Sequence, residues 1–168
     1  MISYRLAKTT EVGELKSLLW KYGPNEWNYL TEEGVDAELQ LVESGRAHAA
    51  VAIYQNQIVG LAILISGVDA PSYIEKYARV AESSFIGDVV VSKEHSGMGI
   101  ASQLLRECKH KAKSLNSKSV LIERHEENLA SAGMMKNAGF TIYETFHDPD
   151  KRSSGTQNSV VLGCMLGN

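Results

Sequence analysis

The stretch Val89-Val90-Val91-Ser92-Lys93-Glu94-His95-Ser96-Gly97-Met98-Gly99-Ile100-Ala101-Ser102-Gln103-Leu104-Leu105 decides how this chain is read. A β-branched run, suited to a pleated surface, stops at a short polar turn. Two glycines follow, and then an amphipathic helix begins. Lacking a Cβ, Gly97 and Gly99 are free to take positive φ and to let a ligand approach the main chain. The amides from about Ser96 to Ser102 would then point out of a helix N-terminus, whose partial positive charge favours phosphate oxygens. Paired glycines also occur in such turns for purely steric reasons, so the turn alone leaves both readings open.

Two familiar nucleotide motifs are excluded. No Gly-Lys-Ser/Thr follows the turn, so there is no P-loop lysine. A dinucleotide fingerprint needs a third glycine and a place after the first strand, whereas this turn lies past the chain's midpoint. The segments that follow add to the signal. Ile100, Ala101, Leu104, Leu105, Cys108, Ala112 and Leu115 share one face of the helix, with Arg106, Lys109, His110, Lys111 and Lys113 elsewhere. Lys118 to Glu123 reads as a buried strand. Asn128 caps a second, short helix whose inner side is expected to carry Leu129, Ala132 and Met135. Gly139 is the expected left-handed cap that ends it, and Phe140 to Phe146 returns to strand.

This order resembles the GCN5-related N-acetyltransferase (GNAT) family over the whole chain, most specifically from Gly87 to Phe146. The family's coenzyme turn reads Gln/Arg-x-x-Gly-x-Gly/Ala, and Ser96-Gly97-Met98-Gly99-Ile100-Ala101 matches it except at the first position. A later family motif places a tyrosine seven residues after an asparagine, then Gly-Phe. Asn128, Gly139 and Phe140 fit, with Met135 at the tyrosine position. The implied fold is a single α/β domain over residues 1–168. Its central mixed, mostly antiparallel sheet would have about six or seven strands, flanked by four or five helices. The implied activity is acetyl transfer from acetyl-CoA to a primary amine of a small molecule or peptide. A coenzyme-binding sensor or partner module with a degenerate catalytic site is the alternative.

By the same resemblance, Val89, Val90 and Val91 would hold the pantetheine arm through their main chain. Ser96, Gly97, Met98, Gly99, Ile100, Ala101 and Ser102 would cradle the pyrophosphate. Asn128 would meet the pantetheine or acyl end, or act as a plain helix cap, or both. Lys93 and Arg106 are either phosphate contacts or solvated charges. The catalytic positions depart from the pattern. Where many members carry a glutamate before an aspartate on the central strand, this chain reads Gly87-Asp88. An amine of pKa about 10.4 is only about one part in a thousand neutral at pH 7, so some group must take its proton. Asp88 and Glu123 are the candidate bases, with Glu82 and His125 behind them. Met135 has no proton for the leaving thiolate, which leaves Ser131 or Tyr143 as substitutes. Each of these side chains also has a structural reading, and strand alternation leaves open whether Asp88 faces a pocket, the core or a helix.

Composition sets bounds on all of this. The chain has 168 residues, is 43% hydrophobic and 22% charged, and carries a formal net charge of −3, which offers no general attraction for nucleic acid or anionic membranes. Two isolated cysteines form neither a disulfide framework nor a zinc site, and no metal site is expected. With no apolar leader or spanning run legible, a cytoplasmic protein is expected. Upstream, Ile2 to Ala7 reads as a strand, and Val12 to Tyr22 and Val35 to Val42 as helices. Ala47 to Tyr54 and Ile58 to Ile65 read as a hairpin turning at Gln55-Asn56-Gln57. Ile74, Tyr77, Ala78 and Ala81 predict a helix that forms either a lid on the acceptor pocket or a surface insertion. Trp20, Trp27, Tyr29 and Tyr73 are candidate acceptor-wall residues, and the loop Asp148 to Asn158 is expected to border the same site. A homodimer through an edge strand at Val160 to Met165 is a further expectation.

Overall fold

The computed structural model describes residues 1–167. Seven strands, β1 (Ser3–Leu6), β2 (Ala47–Tyr54), β3 (Gln57–Ser66), β4 (Ser83–Val91), β5 (Ser119–His125), β6 (Thr141–His147) and β7 (Asn158–Met165), form one sheet in the order β1-β2-β3-β4-β5-β7-β6. Among the described residues only β4 and β5 pair in parallel; the other neighbours are antiparallel. Four α-helices cover the sheet: α1 (Val12–Tyr22), α2 (Glu32–Glu43), α3 (Ile100–Ser114) and α4 (Leu129–Asn137). No helix among the described residues is long and apolar enough to cross a membrane.

Alternation along the strands builds two apolar layers. Ala62, Leu64, Ile86, Val120, Ile122, Val160 and Leu162 pack against Ile100, Leu104, Leu105 and Cys108 of α3 and Met135 of α4. On the opposite face Val51, Leu61, Ile63 and Ile65 pack against Leu15 and Leu19 of α1 and Val35 and Leu39 of α2. The expected periodicity of α3 holds at Ile100, Leu104, Leu105, Cys108 and Ala112, all buried. Leu115, however, lies just past the helix end and is exposed, because Asn116 turns the chain with φ 66°. The β2–β3 turn has Gln55 and Asn56 both at positive φ, the geometry of a two-residue hairpin that follows strand twist.

Three sequence-based expectations are corrected. The segment between β3 and β4 forms single 3₁₀ turns, Gly67–Asp69, Ser72–Lys76 and Val80–Glu82, not an α-helix. Its apolar residues are drawn onto one small cluster, where Ile74 is fully buried against Phe85, Leu121 and Val161, and Tyr77 and Val80 follow at the three-residue spacing of a 3₁₀ turn. Leu129, expected on the inner side of α4, opens the helix largely exposed, and Met135 carries the burial. The strand Val160 to Met165 is not an edge. The hairpin folds β6 to the outside, so β7 is bonded on both sides, to β5 and β6. Pairing between copies at that strand is thereby blocked, and β1 and β6 are the strands left at the sheet's two ends.

Candidate functional site

The parallel pairing of β4 with β5 runs from Ser83↔Ser119 to Ile86↔Ile122 and stops there. Beyond it β4 stays bonded to β3 as far as Val91, and β5 to β7 as far as His125. The two strands therefore part in a wedge. From Gly87 onward, the side of β4 that met β5 has no strand partner. The cause is local. Leu64 stands opposite Ile86 but Ala62 opposite Val89, so Gly87 and Asp88 together face the single Ile63 in a β-bulge. The bulge resets the alternation: Val89 and Val91 now pack toward the α3 layer, whereas Val90 joins the α1–α2 layer.

The wedge leads from β4 into the glycine turn. Gly97 and Gly99 take φ of 76° and 77°, and a Cβ built on either would meet nothing within 4 Å, so the conformation and not crowding calls for glycine. Among the described residues, none of the amides from Gly97 to Ser102 donates to a protein acceptor, while the next, Gln103, donates to the Gly99 carbonyl at 3.1 Å. Met98 at the tip is exposed, whereas Ile100 and Ser102 are anchored in the layer beneath. This row of free donors caps a fifteen-residue helix and forms an anion seat. Lys93 is exposed beside it. Arg106 points elsewhere, tying α3 to the Asn137 carbonyl at the end of α4.

Two cavities open from the wedge. A narrow one of about 60 Å³ lies between Val89, Val90 and Ile122 of the strands and Ser131, Met134 and Met135 of α4. A larger one of about 340 Å³ adjoins it on the α2 side, lined in part by Tyr29, Val35, Glu38, Arg124, Lys151 and Arg152. Gly87, Asp88, Glu123 and Ser131 border both. Asn128 borders the larger one and also caps α4, its side-chain oxygen accepting from the Ser131 amide at 3.1 Å. Met135 is nearly fully buried and belongs to the core as well as to the wedge wall.

The candidate bases have unlike surroundings. Glu123 is engaged by Arg152 (2.7 Å), Lys151 (3.2 Å), the Ser159 hydroxyl (3.2 Å) and the Tyr73 hydroxyl. With its carboxylate oxygens taken up in this way, it pins the loop between β6 and β7 and has little capacity left for a substrate proton. His125 is equally committed: Nδ1 accepts from the Glu127 amide (2.9 Å), so Nε2 carries the hydrogen donated to the Ser154 carbonyl (2.8 Å). Glu82 lies immediately before β4, paired with Lys118. Tyr143 is not brought to the site. It sits where the β6–β7 register shifts, its ring over Gly163 and beside Tyr77, and it lines neither cavity. Of the aromatic wall, Tyr29 lines the larger cavity. Trp27 packs on His125, Tyr73 on Phe85 and Phe146, and Trp20 against the α1–α2 layer.

Asp88 lines the larger cavity together with Glu38 of α2, whose carboxyl lies against Gly87. Burial first, and then the negative charge of Asp88, hold the Glu38 carboxyl well above the usual glutamate range. Burial also raises Asp88, against the opposing effect of its bond to Glu38. Glu38 Oε1 is sealed from bulk water with no partner. Sequence reasoning passed over Glu38. The signal was present, since it lies three residues after Val35 and four before Val42, on the inward face of α2. Among the described residues no cluster of three or more His, Cys, Asp or Glu is placed to hold a metal ion.

Two stability measurements follow. Removing Glu123 strands the buried Arg152 guanidinium, the two side chains being 6% and 7% exposed. Glu123→Ala is therefore expected to cost about 3–5 kcal/mol in urea denaturation; a loss below about 1 kcal/mol would remove its anchoring role. Glu38 binds its proton more tightly folded than unfolded, so its contribution is greatest at acid pH and declines as pH rises above the ordinary value of 4.5. Glu38→Gln, which has no proton to lose, is expected to gain stability relative to wild type as pH rises above about 5. A constant difference across that range would contradict the raised value.

Residues 12–140 match the Acetyltransferase (GNAT) family. No curated protein matches the chain. Solved structures of similar fold include an acetyltransferase of Bacillus subtilis in complex with CoA (TM-score 0.75, 19% identity, covering 99% of this chain and 100% of that one). An N-acetyltransferase from Staphylococcus aureus Mu50 is similar at TM-score 0.77 and 17% identity over 99% of each chain. A ribosomal-protein-alanine N-acetyltransferase from Brucella melitensis gives 0.76 at 18% identity, over 98% of this chain and 99% of that one. At such identities the likeness is one of fold. The matched span contains the parted strands, the glycine turn and the asparagine-capped helix, and on it the chain belongs to the Acetyltransferase (GNAT) family.

Proposed function

We propose that the protein transfers an acetyl group from acetyl-CoA directly to a primary amine of a small molecule or peptide. The observation that carries this reading is the row of unpartnered amides from Gly97 to Ser102, continuous with the unpaired edge of β4. Those amides would hold the pyrophosphate. The main chain of Val89 and Val91, with Val90 buried between them as anchor, would pair with the pantetheine arm as an added strand. A main-chain amide aimed at the thioester oxygen would stabilise the charge that develops there, an effect worth about 10²–10³ in rate. Asn128 stands where the arm would enter the larger cavity, which would take the acceptor.

Met135 offers no acid. A thiol of pKa about 8.5 leaves tolerably without one, at a cost of about 10²–10⁴ in rate. Ser131, on the wall shared by both cavities, is the hydroxyl that would take this role, since Tyr143 lines neither. The buried Met135 favours one second reading, an acyl-CoA-binding sensor without turnover. Two unpaired cysteines and an acetyl-CoA-dependent reaction fit a cytoplasmic protein acting as one domain over residues 1–168. A homodimer, if formed through a sheet edge, would use β1 or β6.

Acetyl-CoA at about one hundred times its Kd is expected to add about 2.7 kcal/mol of stability, or about 5–10 °C in Tm. Gly99→Val, which forces a β-branched residue to φ 77°, is expected to abolish the shift. No shift for the wild-type protein would refute the coenzyme assignment, and binding without thiol release over a panel of amines would favour the sensor.

A further inference from the structure

An acceptor amine in the larger cavity arrives mostly protonated, and its proton has to go to a group in that cavity. Six ionisable groups line it apart from Tyr29: Glu38 from α2, Asp88 from β4, Glu123 and Arg124 from β5, and Lys151 and Arg152 from the following loop. Lys151 and Arg152 are bonded to Glu123, and Arg124, a permanent cation with no role as a base, donates through Nη1 to the carbonyls of His125 and Glu126 while its Nε has no partner. That leaves Glu38 and Asp88, neither of which forms an ion pair with a cation among the described residues.

Their position is set by an absence of side chain. A Cβ built on Gly87 would lie 2.7 Å from Glu38 Oε2 and 2.9 Å from Cδ and Oε1. The Glu38 carboxyl thus fills the space that a side chain at position 87 would claim, at the first residue beyond the point where the strands part. Oε1 is buried and unpartnered, although a carboxylate oxygen in a closed site ordinarily has a donor. Asp88 and Gly87 border the narrow cavity as well, so the pair sits at the junction between the acceptor space and the thioester channel.

Resting on the acetyl-transfer reading above, we infer that Glu38, beside Asp88 in the larger cavity, is the proton acceptor for the amine, supplied from α2 across the gap that Gly87 leaves in β4. The ammonium gives one proton to the ionised Glu38 carboxylate. The freed nitrogen lone pair forms the C–N bond at the thioester carbon as the C–S bond breaks. The second proton lost by nitrogen goes to the departing thiolate, and the proton on Glu38 passes to solvent. A carboxylate in this buried setting binds a proton more tightly than one in water, which suits it to take one from an ammonium.

The test is steady-state acetylation of a primary-amine panel by wild type, Glu38→Gln and the exchange variant Glu38→Ala/Gly87→Glu, with acetyl-CoA binding measured on each. Glu38→Gln is expected to lose about 10²–10⁴ in kcat at pH 7 with acetyl-CoA affinity unchanged. Its rate should then climb about tenfold per pH unit as free amine accumulates. The exchange variant is expected to regain at least tenfold over Glu38→Gln. Wild-type kcat and an unaltered pH profile in Glu38→Gln would overturn the assignment, as would an equal loss of acetyl-CoA affinity, which would make Glu38 scaffold. Wild-type protein that fails to bind acetyl-CoA would instead remove the underlying transfer reading, and the inference with it.

Discussion

One extra residue in β4 governs the site. Because Gly87 and Asp88 both stand against Ile63, the strand bends and twists where it would otherwise continue alongside β5. Parallel pairing ends at Ile86, and everything functional lies beyond that point. The bulge exposes one side of β4, brings Asp88 to the larger cavity beside Glu38 of α2 and carries Val89 and Val91 toward the α3 layer. It also leads the chain into the glycine turn, where the amides at the N-terminus of α3 face outward. A regular strand would have paired these groups and closed the opening.

The site holds two carboxyl systems with opposite surroundings, and their environments separate their roles. Glu123 lies among donors from Arg152, Lys151, Ser159 and Tyr73, and these contacts join β5, the β6–β7 loop and the turns after β3 into one support. Across the cavity, Glu38 and Asp88 form no ion pair with a cation among the described residues, and burial disfavours a second negative charge. The first system keeps the cavity in shape. The second is available to exchange a proton. Arg152 extends the support by donating to the Trp27 carbonyl, so the aromatic loop between α1 and α2 is held from the same centre.

Much of this was legible in the chain. The positive-φ glycines, the α3 face, the Asn128 cap and the left-handed Gly139 follow from local rules about backbone freedom and period, and each lies where those rules put it. What escaped is long-range. The bulge changes which way Asp88 faces, and no alternation pattern in one strand reveals how many residues its neighbour sets against it. Glu38 looked like one more helix glutamate because its meaning depends on Gly87, 49 residues later in the chain. The 3₁₀ turns after β3 gave a helix-like spacing because Ile74 and Tyr77 serve one cluster under either geometry. The outer position of β6 depends on the direction in which a hairpin folds, which local pattern does not contain.

The central claim is that the main-chain groups freed by the parting of β4 and β5 are the coenzyme's binding surface. Backbone amide NMR during titration with CoA tests it most directly. The account predicts the largest shifts at the amides of Gly97, Met98, Gly99, Ile100, Ala101 and Ser102, with a second group at Val89 and Val91 in the same titration. Saturable binding that leaves those amides unmoved and shifts residues elsewhere would contradict it.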